Sequence, residues 1–173
     1  MERITRKVCL LGAAAVGKTS LSTRFLTNTF SEQYLSTVGL RVGSRELLLR
    51  EGLTLKLIIW DIAGTRVLTR INTGYLKGTA GIAYVADGTR RETLTTALDL
   101  RAEVARSLAP VPSVLLLNKA DLGGQWDIEA DDLLALISDG VRLFKTSAKD
   151  GTGVEAAFVD LSRSSVRPCI AEG

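Results

Sequence analysis

One stretch constrains this chain more than any other: GAAAVGKTS, residues 12–20. It follows an apolar strand pattern, KVCLL (7–11), and leads into GKTSLSTRFLTNTF (17–30), which has helical spacing. The match to G-x-x-x-x-G-K-[ST] is complete, and each position has a physical task. Gly12 and Gly17 allow backbone angles that a Cβ would forbid. The N–H groups of Ala13, Ala14, Ala15, Val16 and their neighbours can then turn inward around phosphate oxygens. The helix that starts at Lys18, Thr19 and Ser20 adds the positive end of its dipole. Lys18 reaches the β- and γ-phosphates of a nucleotide, and the Thr19 hydroxyl takes Mg²⁺.

The rest of the chain repeats this strand–helix alternation. RELLLR (45–50) and LTLKLIIWD (53–61) read as strands meeting in a hairpin at Glu51-Gly52. GIAYVAD (81–87) predicts a strand, and ETLTTALDLRAEVARSLA (92–109) a helix presenting Leu94, Leu98, Ala102, Ala105 and Leu108 on one face. SVLLLN (113–118) is a further strand; a helix over 129–138, a strand VRLFKT (141–146) and a helix over 153–164 complete the pattern. Continuous apolar runs such as 114–117 suit strands covered on both faces. The expected fold is therefore α/β: a mostly parallel sheet, doubly wound, with one antiparallel edge strand. Ligands in such sheets bind in loops at the carboxyl ends of the strands.

Composition excludes several classes of chemistry. The chain has 173 residues, about one domain's worth; residues 1–173 are read as a single domain with 166–173 as a short tail. There is no histidine, so imidazole catalysis and imidazole metal ligation are ruled out. The two cysteines suit a reducing cytoplasm: Cys9 falls inside a strand pattern, and neither fits a metal site or a disulfide framework. The net charge of +3 is spread along the chain without a basic stripe, so no nucleic-acid partner is expected. The longest apolar runs are too short to span a bilayer.

Two further loops carry chemistry. NKAD (118–121) follows the buried run 114–117. An Asp carboxylate can accept from both the ring N–H and the exocyclic amine of guanine, a pair that adenine does not offer. Asp121 is placed for that contact, with Asn118 tying the loop down and the Lys119 stem covering the base. TSAK (146–149) follows the last strand, and a backbone N–H from Ala148, flanked by Ser147 and Lys149, would meet the guanine oxygen.

In this order the motifs GAAAVGKT, STVG with Thr37, WDIAG (60–64), NKAD and TSAK resemble those of the Ras superfamily of small GTPases, closest to its Rab and Rap branches. The composition is also compatible with a prokaryotic relative. The resemblance spans roughly residues 6–165 and implies a six-stranded sheet with about five helices that binds GTP or GDP with Mg²⁺. It carries over Phe30 as the aromatic beside guanine and Tyr34 as a lid near the γ-phosphate. It also implies that Thr37 completes the Mg²⁺ shell, that Asp61 holds the metal through a water, and that the Gly64 N–H touches the γ-phosphate. Segments 28–41 and 63–75 would then differ between the GTP and GDP forms and face an exchange factor, a GTPase-activating protein and an effector.

One position departs from that pattern. Most of the superfamily has glutamine after Asp-x-Ala-Gly, to orient the attacking water. Here it is Thr65, whose hydroxyl stops short of where an amide would reach. Ala14, where many relatives have glycine beside the γ-phosphate, is a second departure. Both point to slow hydrolysis without a partner, with Lys18, Thr37, Gly64 and Thr65 as the residues at the reacting phosphate. Arg66 and Arg70 read as surface charges rather than as cis-acting arginines. The end, SRSSVRPCIAEG, has four residues after Cys169 where a prenylation box has three, so no clear lipid anchor is expected. The expected function is a slow GTP-hydrolysing switch; the alternatives are a GTP-dependent scaffold with negligible turnover and the GTPase domain of a larger Roc-type protein.

Overall fold

The computed structural model describes residues 2–31, 39–64 and 73–170. Six strands form one sheet: β1 (Glu2–Gly12), β2 (Leu40–Arg50), β3 (Leu53–Ile62), β4 (Gly81–Asp87), β5 (Ser113–Asn118) and β6 (Leu143–Lys145), in the order β2-β3-β1-β4-β5-β6. All neighbours are parallel except β2 and β3, so the antiparallel strand is the edge strand. Around the sheet lie α1 (Lys18–Thr27), a single turn α2 (Thr73–Leu76), α3 (Arg91–Ser107), α4 (Ala130–Ser138) and α5 (Val154–Ile170), with a 3₁₀ segment at Ala120–Gln125.

Alternation along the central strands builds two cores. On β1, Val8 and Leu10 face one side with Phe25 of α1 and Phe158 and Leu161 of α5; Cys9 and Leu11 face the other with Leu94, Ala97 and Leu100 of α3. All four of these β1 side chains are fully buried, as a strand covered on both faces requires. Phe25 and Phe158 stack with ring centroids 4.5 Å apart, joining α1 to α5. Arg45 of β2 lies over Phe25 and forms two bonds, of 2.7 and 2.9 Å, to the Glu155 carboxylate of α5. No helix among the described residues is long and apolar enough to cross a membrane.

Three expectations shift. The buried stripe of α3 is Leu94, Ala97, Leu100 and Val104, whereas Ala102 and Ala105 are exposed and Leu98 and Leu108 half-buried. Steps of three and four track the 3.6-residue turn; the set expected from the sequence drifts onto the neighbouring face, which borders a groove shared with Leu136 and Val141. The last helix continues past 164 to Ile170, because Leu161, Ser165 and Val166 keep one face buried, so its final turns take in residues expected to be tail. The sixth strand is only Leu143–Lys145, although the Leu115 N–H bond to the Arg142 carbonyl and the Thr146 N–H bond to the Leu117 carbonyl, both 2.8 Å, carry its contact with β5 one residue further at each end.

The chain order places β1 between β3 and β4, so connections leave in opposite directions at the carboxyl end of β1. That is the switch point at which open α/β sheets bind ligands. The phosphate-loop motif starts there.

Candidate functional site

The loop between β1 and α1 is held from several sides. Gly17 sits at φ +100°, and a Cβ there would lie 2.2 Å from the Asn118 amide nitrogen. Gly12 is needed for a different reason than the sequence suggested: its φ is not positive, but a Cβ would come within 2.3 Å of the Val85 carbonyl oxygen. Besides Gly17, Ala15 is left-handed, at φ +61°, a conformation that costs a residue with a side chain about 1–2 kcal/mol. Such strain is characteristic of ligand-holding loops. The Lys18 ammonium is buried and donates to the Gly12 and Ala13 carbonyls at 3.1 and 2.8 Å. Burial pushes its pKa down to about 8, with the nearby Asp61 carboxylate pulling it back up.

Asp61, at the end of β3, is buried beside α1, and the Thr19 hydroxyl donates to its Oδ2. Its Oδ1 is buried without a hydrogen-bond partner. Burial pushes this carboxyl above its usual range; the Thr19 bond and the charges of Lys18 and Arg41 oppose the shift. An unsatisfied carboxylate oxygen beside a threonine hydroxyl is a hard-oxygen donor set, which suits Mg²⁺. Among the described residues no group of three acidic or thiol side chains could hold a metal by itself. That also fits Mg²⁺, which is commonly bound by one or two protein oxygens together with substrate phosphates. Gly64 is buried against the same loop: a Cβ there would lie 2.5 Å from the Ala14 nitrogen and 2.6 Å from the Ala13 carbonyl carbon.

Beyond the loop lies a cavity of about 420 Å³ lined by Ala15, Gly17, Ser20, Phe30, Asn118, Lys119, Asp121, Ala148 and Lys149, with Ser31 and Leu122 completing the wall. Nine residues singled out from sequence thus meet at one cavity. Phe30 is 37% exposed and forms its outer edge. Lys119 is itself left-handed, at φ +68°, and its carbonyl accepts the Trp126 indole N–H at 2.8 Å.

Asn118 is the hub. Its amide donates to the Val16 carbonyl at 3.0 Å, and its Oδ1 accepts from the Thr146 hydroxyl and the Ala148 N–H, both at 3.3 Å. The Ala148 N–H expected to face a guanine oxygen is therefore engaged by Asn118. Ser147 is fully buried behind the cavity, where its hydroxyl donates to Asp121 Oδ1 at 2.8 Å and so orients that carboxylate. Tyr34, Thr37, Thr65, Arg66 and Arg70 lie outside the described residues.

Some residues at the site carried no motif. Arg24 of α1 donates through Nε to the Ala148 carbonyl at 2.8 Å and fastens the TSAK loop. Asp87, at the carboxyl end of β4, is buried and receives Lys119 Nζ at 2.6 Å and Arg90 Nε at 3.1 Å. Burial alone would push its carboxyl up, but the bonds from Lys119, Thr89 and Arg90 outweigh that and hold it below the usual carboxylate range. A polar residue ending the apolar run GIAYVAD was the one available signal.

Fold and site together define a phosphate-loop nucleotide-binding domain of the α/β class. The chain belongs to the Ras family, whose model matches residues 7–167. It is 34% identical over 159 residues to the Ras-related protein Rab-13 of Canis lupus familiaris, covering 91% of this chain and 78% of that protein. It is 35% identical over 160 residues to the Ras-related protein RABD2a of Arabidopsis thaliana, and 35% over 165 residues to the GTP-binding protein ypt1 of Schizosaccharomyces pombe, with the same two coverages. The chain is accordingly a guanine-nucleotide-binding switch that hydrolyses GTP to GDP, uses Mg²⁺ and works with regulators and effectors in general.

Proposed function

We propose that the cavity beside the phosphate loop reads guanine, with Asp121 accepting from the base, the Lys119 stem and Phe30 enclosing it, and Asn118 and Ser147 fixing the loops that do so. The observation that carries this reading is the meeting of Asp121, Lys119, Ala148 and Gly17 at one cavity, with Ser147 aiming the Asp121 carboxylate. The phosphates would follow the loop 12–20, where Lys18 exchanges its Gly12 and Ala13 carbonyl partners in part for β- and γ-oxygens. Thr19, Asp61 and Thr37 would hold Mg²⁺, which when bound neutralises phosphate charge. Water attacks the γ-phosphorus in line; its proton leaves to solvent or phosphate oxygen, and the bond to the β–γ bridging oxygen breaks, releasing phosphate and GDP.

Catalysis here is positioning and charge stabilisation by Lys18 and the loop N–H groups. Thr65 supplies no amide to orient the water, so the unassisted reaction is slow, and an activating partner that brings its own side chain resets the switch. The close approach of Gly64 to Ala13 and Ala14 supports a role for its N–H as the sensor of the γ-phosphate. Segments 28–41 and 63–75 then form the surface for exchange factor, activating protein and effector, and one compact domain in a reducing cytoplasm is the setting.

Two measurements test the reading. Asp121→Asn moves preference from guanine towards xanthine nucleotides; unchanged GTP affinity refutes the base assignment. Single-turnover GTP hydrolysis is faster in Thr65→Gln than in the wild type; equal, rapid turnover in both removes Thr65 as the brake, and tight binding without cleavage in either leaves a scaffold.

A further inference from the structure

Two cations converge on the buried Asp87 carboxylate, and the base-reading loop accounts for only one of them. Lys119 Nζ lies 2.6 Å from Oδ2. Arg90 Nε lies 3.1 Å from the same oxygen. The other carboxylate oxygen is filled locally, by the Thr89 N–H at 2.9 Å and the Thr89 hydroxyl at 2.7 Å. Asp87 therefore needs no third partner to be satisfied. Yet Arg90 has a second arm: its Nη2 donates to the Ala14 carbonyl, 76 residues earlier, at 3.1 Å.

That carbonyl belongs to the outermost part of the phosphate loop. The next residue, Ala15, is left-handed, and the preceding peptide leaves no room for a Cβ on Gly64. The Gly12, Ala13 and Val16 carbonyls of the loop are held by Lys18 and Asn118, and Arg90 holds the Ala14 carbonyl at its crown from β4's side. The arrangement suits a guanidinium in particular. Its Nε–H and Nη2–H groups are fixed in one rigid plane, so one side chain can hold a carboxylate and a carbonyl together; an ammonium is a point donor without a fixed fork.

We propose that Arg90 is a positioning residue that fastens the crown of the phosphate loop to the guanine-reading loop through Asp87 and Lys119, and thereby slows the release of bound nucleotide. The clamp couples the two halves of the nucleotide site: Lys119 and Arg90 share one carboxylate oxygen, so the loop that covers the base and the loop that wraps the phosphates are held to a common point on β4. Opening either half strains the other. The inference rests on the reading of residues 12–20 as the phosphate loop and of Lys119 as part of the base site.

The test compares wild type, Arg90→Ala and Arg90→Lys, each loaded with a fluorescent GDP analogue, by dissociation rate into excess GDP and by melting temperature. Arg90→Ala releases the analogue about tenfold faster, the loss expected for one charge-assisted hydrogen bond. Arg90→Lys keeps a cation for Asp87 and so melts close to wild type, yet releases nearly as fast as Arg90→Ala because Ala14 has lost its donor. Wild-type release in Arg90→Ala overturns the clamp. So does full rescue of slow release by lysine, since charge at Asp87 would then suffice, and so does faster release that only follows a lowered melting temperature. A wild type that takes up no guanine nucleotide is seen before any variant is compared, and overturns the reading of the site itself.

Discussion

Replacing Asn118 by alanine tests whether one buried amide holds three loops together. The side chain is 3% exposed. Its removal strands the Val16 carbonyl, which it meets at 3.0 Å, and the Thr146 hydroxyl and Ala148 N–H, each at 3.3 Å. A buried polar group left without a partner costs about 1–3 kcal/mol. The Val16 bond has good length and counts fully, whereas the two at 3.3 Å are long and count for less, so the total comes to about 2–4 kcal/mol. In the free protein the loops can relax and let water reach these groups. A nucleotide needs them in place, so the cost falls largely on binding: at 1.4 kcal/mol per factor of ten, GDP affinity falls about 30- to 700-fold. Isothermal titration with GDP and Mg²⁺ measures that loss, and urea unfolding of the nucleotide-free protein measures the remainder. Thr146→Val is the control, since it removes one long bond and leaves Asn118 Oδ1 with the Ala148 N–H; its cost should stay below about 1 kcal/mol. The hub argument fails if Asn118→Ala binds GDP within threefold of wild type, or if Thr146→Val does equal damage.

Other expectations follow from the same geometry. Gly64→Ala puts a methyl 2.5–2.8 Å from the Ala13–Ala14 backbone, so in direct titrations the affinity for a GTP analogue should fall relative to that for GDP while the fold survives. Phe158→Ala empties the space beside Phe25 and should lower the unfolding free energy by about 3–5 kcal/mol in urea titrations, without touching the cavity lining. Mg²⁺ should raise the melting temperature of the GDP-bound wild type and have little effect on Asp61→Ala, since the orphaned Oδ1 is the group it would satisfy. For pH, Asp87 ionises more readily in the folded chain than in the unfolded one, so its stabilising contribution is complete above the ordinary carboxylate range near pH 4 and is lost as pH falls through its lower folded value. Arg90→Ala removes one cause of that depression, so the loss should begin at a higher pH in an acid-unfolding titration followed by circular dichroism.

The sequence by itself determined what lies contiguous in the chain. GAAAVGKTS, NKAD and TSAK are loops whose working residues are neighbours, each following an apolar strand run, and the alternation of runs and amphipathic segments determined a doubly wound sheet with a hairpin at Glu51-Gly52. The tertiary structure decided what depends on distant approach. Gly12 is required by the Val85 carbonyl, not by its own torsion angle, and no local pattern announces a carbonyl 73 positions away (85 − 12). The buried face of α3 was decided by where β1 and β4 lie beneath it, which periodicity cannot choose when alanines and leucines occupy adjacent stripes. Arg24, Asp87 and Arg90 joined the site for the same reason: a charged residue reads as a solvated one until the fold brings a carbonyl or carboxylate to it from another part of the chain, as Arg90 meets Ala14.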